Sequence, residues 1–349
     1  MSACTRWLLV SALCGVVAST PMLQAEDVST LLARVHTADT ASSLEDASLK
    51  PWHLKVSFQL FDGKGNPSEQ GTMEEWWNGP KQYKLSFASP SYTSTEIQNQ
   101  DGLFRTTGTD TTPYILRLLH SQLTHPMSLE QHLKNPTPVL HIMTAGKMKL
   151  DCIMLSLRDR DLPLGSDPTY CLDHDTNTFR MSYITSSMFA ARDTIGLFQE
   201  RSVALDILVF GARHKILGAH VMALQSSVPD TTKFAPTPDM SIVKNSITIG
   251  SLFEARRKKS GIDVHYPEEA RFHHISGSVL LSAVIGIDGH IHHLEVIDSP
   301  DDDLSEAATK AVQQWTYEPY LLNGVPVEVH TTITINFRLG PKTTFGFIN

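Results

Sequence analysis

The sequence predicts an α+β protein in two units. One is an N-terminal antiparallel β half-barrel-like sheet with covering helices; the other is a small C-terminal α+β domain. Three observations carry this reading. Apolar residues alternate with period two in a long series of segments between residues 52 and 225, with turn residues between them. A polar stretch at 226–239, holding Pro229, Pro236 and Pro238, then interrupts the series. Beyond it, residues 266–339 read as helix, strand, turn, strand, helix, strand.

The chain has 349 residues and a net charge of -8. At ~100–200 residues per domain this length implies more than one domain. Arg6 precedes an apolar core at 7–18, and Leu23-Gln24-Ala25 offers a small residue at a cleavage site before Glu26-Asp27. Residues 1–25 therefore read as a secretory signal peptide, with Ala18 as a second cleavage point. The core is shorter than the ~20 residues that span a bilayer. The expectation is a periplasmic protein. The alternative is an inner-membrane anchor made by an uncleaved N-terminal segment. Removing the signal takes away Cys4 and Cys14 and leaves Cys152 and Cys171, an even pair in an oxidising compartment, which predicts a disulfide.

The N-terminal domain is expected at 27–225. A short helix is read at 28–35. Trp52, Leu54, Val56, Phe58 and Leu60 then alternate with His53, Lys55, Ser57 and Gln59, the pattern of a half-buried strand. Strands follow at 71–78, 82–87, 93–98 and 103–107, then a helix at 113–123 with Ile115, Leu118, Leu119 and Leu123. A second short helix is read at 129–133. Further strands are read at 147–157, 169–172, 179–184, 202–210 and 215–225. Such a long antiparallel series closes or curves into a barrel or half-barrel. Residues 226–262 are assigned to a linker with an extra strand-like segment at 242–253. Its basic run, Arg256-Arg257-Lys258-Lys259, lacks interleaved aromatics, so no nucleic-acid partner is expected.

The C-terminal domain is expected at 263–340, with a tail at 341–349. Tyr266-Pro267-Glu268-Glu269 opens its first helix, with proline and carboxylates where a helix start favours them. Val279, Leu281, Ala283, Ile285 and Ile287 alternate after Gly277, Asp288-Gly289 is a hairpin signal, and residues 291–297 return. Asp301, Asp302 and Asp303 cap a helix whose apolar stripe is Leu304, Ala307, Ala308, Ala311, Val312 and Trp315. Asn323-Gly324 turns the chain into a long last strand. There Val325, Val327, Val329, Thr331, Ile333, Ile335, Phe337 and Leu339 share one face.

This order of elements, with Tyr266-Pro267, Asp288-Gly289, Glu306-Ala307-Ala308, Trp315-Thr316-Tyr317-Glu318-Pro319, Leu322-Asn323-Gly324-Val325-Pro326-Val327 and Ile335-Asn336-Phe337, closely resembles the C-terminal domain of the TonB family. The resemblance covers residues 266–339. It implies a periplasmic domain that binds other envelope proteins, in the type member a plug segment of an outer-membrane transporter. It also implies that the last strand adds a partner's extended segment by edge pairing, with Val325, Val327, Val329, Thr331, Ile333 and Ile335 on the binding strand. The other reading is that this is simply the sheet's longest strand, protected by Pro326, Glu328 and Arg338 as edges often are. More loosely, the hairpin at 170–179 and the strand order resemble LolA-type lipoprotein carriers. That resemblance implies an alternative function, transport of a lipid or other apolar ligand in a concave cavity.

Catalytic and metal chemistry is not expected, and no cofactor is predicted. His290 and His292 share a strand face but lack a third ligand. Asp173, His174 and Asp175 are consecutive turn residues and cannot face one another as a catalytic set. Of Trp76 and Trp77, one ring packs inward and the other faces out. The function expected is protein–protein binding in the cell envelope, linked to outer-membrane transport, and not enzymatic.

Overall fold

The computed structural model describes residues 27–107, 112–127, 129, 136–156, 163–243, 246–248 and 258–339. The segment read as a signal peptide, Arg256, Arg257 and the tail lie outside the described residues, as does most of the helix read at 129–133.

Helix α1 (Val28–Ser42) is followed by strands β1 (Trp52–Phe61), β2 (Pro67–Trp77), β3 (Tyr83–Ala88), β4 (Thr93–Asn99) and β5 (Gly102–Thr106). Helix α2 (Tyr114–Thr124) comes next, then β6 (Thr137–Ala145), β7 (Met148–Ser156), β8 (Thr169–Asp173), β9 (Phe179–Tyr183) and β10 (Phe189–Arg192). A small hairpin, β11 (Ile195–Phe198) and β12 (Arg201–Ala204), precedes β13 (Asp206–Phe210), β14 (Lys215–Ser226) and β15 (Met240–Ile242). Apart from that hairpin these strands form one antiparallel 13-stranded sheet, in the order β15-β5-β4-β3-β2-β1-β14-β13-β10-β9-β8-β7-β6.

The alternation in β1 sets its inner face. Trp52, Leu54, Val56 and Phe58 are buried, and Val56 stands between Met73 and Val221. Helix α2 fills that face with Leu116, Leu119 and Leu123. The same face continues through the cross-strand series Ala190, Ser182, Tyr170 and Ile153, where α1 covers it with Leu31, Val35 and Ala38. Helix α1 runs past the expected 28–35 because Ala38 and Ser42 add further buried turns.

Within the segment expected to be a linker, β15 pairs with β5 and extends the large sheet. Strand β16 (Ser246–Thr248) then pairs in parallel with the last strand of the C-terminal unit. The connection is thus stitched into both sheets and does not act as a free tether. After β17 (Lys258–Ser260) come α3 (Glu268–Phe272), β18 (Gly277–Ile285), β19 (Ile291–Asp298), α4 (Asp302–Val312), β20 (Thr316–Tyr317), β21 (Tyr320–Leu322) and β22 (Val325–Phe337). The sheet order is β16-β22-β18-β19, with β21 also on β22.

Local chemistry explains these elements. Asp301 caps α4 by accepting from the backbone N–H of Asp303 at 3.0 Å. Gly289 has φ +78°, and a Cβ there would lie 2.1 Å from the Tyr317 carbonyl oxygen, so the Asp288-Gly289 turn requires glycine. Asn323 and Gly324 both have positive φ, as a tight two-residue hairpin demands. One face of β18 (Val279, Leu281, Ala283, Ile285) packs with Leu304, Ala308 and Val312 of α4 and with Val329, Ile333 and Phe337 of β22.

Candidate partner-binding edge

Strand β22 is held along one edge by β18, from Val329 opposite Ile285 to Phe337 opposite Gly277. On the opposite edge β16 pairs at Glu328, Val329 and His330. The first three residues, Val325, Pro326 and Val327, pair with β21. The expectation of an outer strand running from 325 to 339 is therefore corrected. Among the described residues, the stretch of the β16-side edge without a strand partner runs from Thr331 to Phe337.

The six side chains named for this strand do not form a contact surface. Val327, Val329, Thr331 and Ile333 are buried, Ile335 is half-buried, and Val325 is exposed beside the hairpin turn. Val329 and Ile333, with Ile335 in part, pack in the cluster that holds the helices, so what the strand offers a partner is backbone N–H and C=O groups. A segment pairing there would gain ladder hydrogen bonds without needing pockets.

The other face of β18 is also buried. It carries Ser278, Leu280, Ser282 and Val284, and Leu280 joins the largest apolar cluster of the N-terminal unit together with Ile297. Polar contacts accompany them. Ser186 and Ser278 hydroxyls are 2.9 Å apart, Arg117 of α2 reaches Ser282 at 3.5 Å, and Arg213 pairs with Asp302 at 2.8 Å. Asp298 accepts from the Ala212 N–H at 2.9 Å and from Ser187 at 3.4 Å. Burial pushes the Asp298 carboxyl pKa up, against those hydrogen bonds. His330 sits on this face, opposite Val284. Burial, then Arg117, Arg105 and His293, hold its imidazole pKa down to about 4. The neutral ring lies with Nε2 3.1 Å from Glu328 Oε1, the geometry of an N–H donating to a carboxylate.

Other residues singled out by sequence have structural partners. Cys152 and Cys171 face each other across β7 and β8 as a disulfide, with Cα atoms 3.8 Å apart. Trp77 packs inward on Trp52, while Trp76 faces out, stacked on His53 at 3.7 Å with the Lys233 ammonium 3.1 Å from its ring centre. Asp173 accepts from the turn amides of Asp175 and Thr176. His174 pairs with Asp151, which also holds Arg34 at 2.6 Å. His292 pairs with Asp288, and among the described residues no group of three or more histidine, cysteine or carboxylate side chains is placed to hold a metal ion. A pocket between Trp76, Trp77 and Pro229 has a volume of about 10 Å³, room for about one water molecule. Helices α1 and α2 pack on the face of the large sheet that a carrier would use.

Sequence reasoning missed the docking of the two sheets and the strand β16 on β22. Leu280 and Val284, apolar on the face of β18 opposite Val279, Leu281, Ala283 and Ile285, were the signal for the first.

The family described as Gram-negative bacterial TonB protein C-terminal matches residues 263–339. The C-terminal unit is therefore a TonB-like α+β domain. Protein TonB of Vibrio cholerae serotype O1 is 30% identical over 79 residues, which is 22% of this chain and 32% of that protein. The chain thus spans about a third of the length of this curated relative. Among solved structures, a LolA superfamily protein from Nitrosomonas europaea aligns over 61% of this chain and 99% of its own, at 9% identity and TM-score 0.39. A DUF1329 family protein from Desulfovibrio piger aligns over 60% of this chain and 97% of its own, at 8% identity and TM-score 0.40. Likenesses this distant carry no argument about what the N-terminal unit binds. Among the described residues no helix is long and apolar enough to cross a membrane.

Proposed function

We propose that this chain is a periplasmic envelope protein whose TonB-like domain binds an extended segment of another envelope protein. Its role is binding and not catalysis. The observation that carries the proposal is the β22 edge from Thr331 to Phe337, which has no strand partner among the described residues and lies in a domain that matches the TonB C-terminal family. Such an edge accepts an extended peptide through main-chain hydrogen bonds. A segment of an outer-membrane transporter is the partner class this reading favours. Export through residues 1–25 places the chain in the compartment where such segments are exposed, and suits the Cys152–Cys171 bridge. The N-terminal sheet holds the TonB-like domain by the outer face of β18.

The test is photo-crosslinking from a probe at Asn336, an exposed position at the end of the open edge, in intact envelope. The reading expects crosslinks to an extended segment of an envelope protein. Crosslinks confined to residues of this chain contradict it.

A further inference from the structure

The edge assigned to a partner is already shared by a piece of the same chain. Strand β16 is described over Ser246–Thr248 and pairs in parallel with Glu328, Val329 and His330. Parallel pairing is slightly weaker per residue than the antiparallel pairing that holds the other edge of β22 to β18. Because β16 runs in the same direction as β22, its last described residue, Thr248, lies opposite His330, next to Thr331. The sequence Ser-Ile-Thr has the β-branched, uncharged character of an edge-pairing peptide. Strand β15 anchors the connection upstream on the large sheet, and β17 anchors it downstream by pairing with β20. Release of β16 therefore need not release either end.

We propose that Ser246–Thr248 is a built-in competitor for the β22 edge, an intramolecular strand that an incoming extended segment displaces to gain pairing from Glu328 onward. This rests on the edge-binding reading above. It adds that the resting chain is self-occupied, so that apparent affinity is reduced by the fraction of molecules in which β16 is docked.

The experiment uses the full oxidised chain and a fluorescent synthetic peptide of its own residues 244–252, Lys-Asn-Ser-Ile-Thr-Ile-Gly-Ser-Leu. Anisotropy titration compares the unmodified chain with two variants, Ile247→Pro and the triple glycine variant Ser246→Gly, Ile247→Gly, Thr248→Gly. If β16 is docked in nine molecules of ten, the variants bind the peptide about tenfold more tightly. Hydrogen exchange on the unmodified chain gives an arm that needs no variant: excess peptide is expected to speed exchange at those amides of Ser246–Thr248 that face β22, while β18 stays protected. Equal affinity for all three proteins, with no change in exchange, overturns self-occupancy and leaves the edge reading standing. Binding to none of them overturns both.

Discussion

The backbone N–H of Ala212 donates to Oδ1 of Asp298 at 2.9 Å, joining a turn of the N-terminal sheet to the end of a strand in the TonB-like domain. The fit is close, since a Cβ on neighbouring Gly211 would lie 2.3 Å from that same oxygen. Two domains linked only by a flexible tether would not share such a contact.

Asp298→Ala leaves the Ala212 N–H without its acceptor and is predicted to cost about 1–3 kcal/mol. Asp298→Asn keeps an acceptor and removes a buried charge whose burial raises its pKa, so it is predicted to cost less. Urea unfolding at neutral pH distinguishes them. Equal loss in both variants would show that the carboxylate charge, not the acceptor, holds the turn.

His330 supplies an acid-sensitive element at the same interface. Its folded pKa of about 4 lies below the ordinary histidine value of 6.5. The unfolded chain therefore takes up the proton first. The stability that the neutral ring supports is present above pH 6.5 and is lost as pH falls toward 4. A shift of this size corresponds to roughly 3 kcal/mol. His330→Gln is predicted to lose less stability than the unmodified chain between pH 6.5 and 4. Parallel pH profiles of the two proteins would remove His330 from this role.

The Cys152–Cys171 bridge spans a sequence separation of 19, and closing a loop of that size stabilises by roughly 3 kcal/mol on the chain-entropy estimate. The double variant Cys152→Ala, Cys171→Ala is predicted to unfold at correspondingly lower urea concentration. Mass analysis after alkylation of the exported, unreduced protein should show no modified cysteine at either position. Two alkylated thiols would contradict the bridge.

Much of the architecture was legible because its signals are local. Asp288-Gly289, Asn323-Gly324 and the Asp301 cap each specify their own turn, so the C-terminal elements fall within a few residues of expectation. The alternation of β1, β2 and β14 was equally plain. Strand β6 was missed because Pro138 and the polar residues around it hide its period. The segment expected as one strand at 202–210 divides at Leu205, where β12 ends and β13 begins. The strand proposed for binding was recognised as a strand, but its occupancy was not. The strand-like segment read at 242–253 contains β16, but its pairing with β22 joins residues about eighty positions apart, and no local pattern names such a partner.

The central claim is that β22 binds through backbone groups on its open edge. Proline placed singly at Thr332, Ile333 and Thr334 tests this most directly, with thermal unfolding of the full chain and capture of its envelope partner measured together. Alternate amides along a strand face opposite neighbours, so the account predicts an alternating result. Proline on the amides that face β18 breaks the ladder and unfolds the domain, at a cost of about 3 kcal/mol or more by analogy with helix interiors. Proline on the intervening amides leaves the ladder to β18 intact, so the melting temperature falls no further than with alanine at the same position, and capture is abolished. A stable proline variant that captures its partner undiminished would contradict the claim.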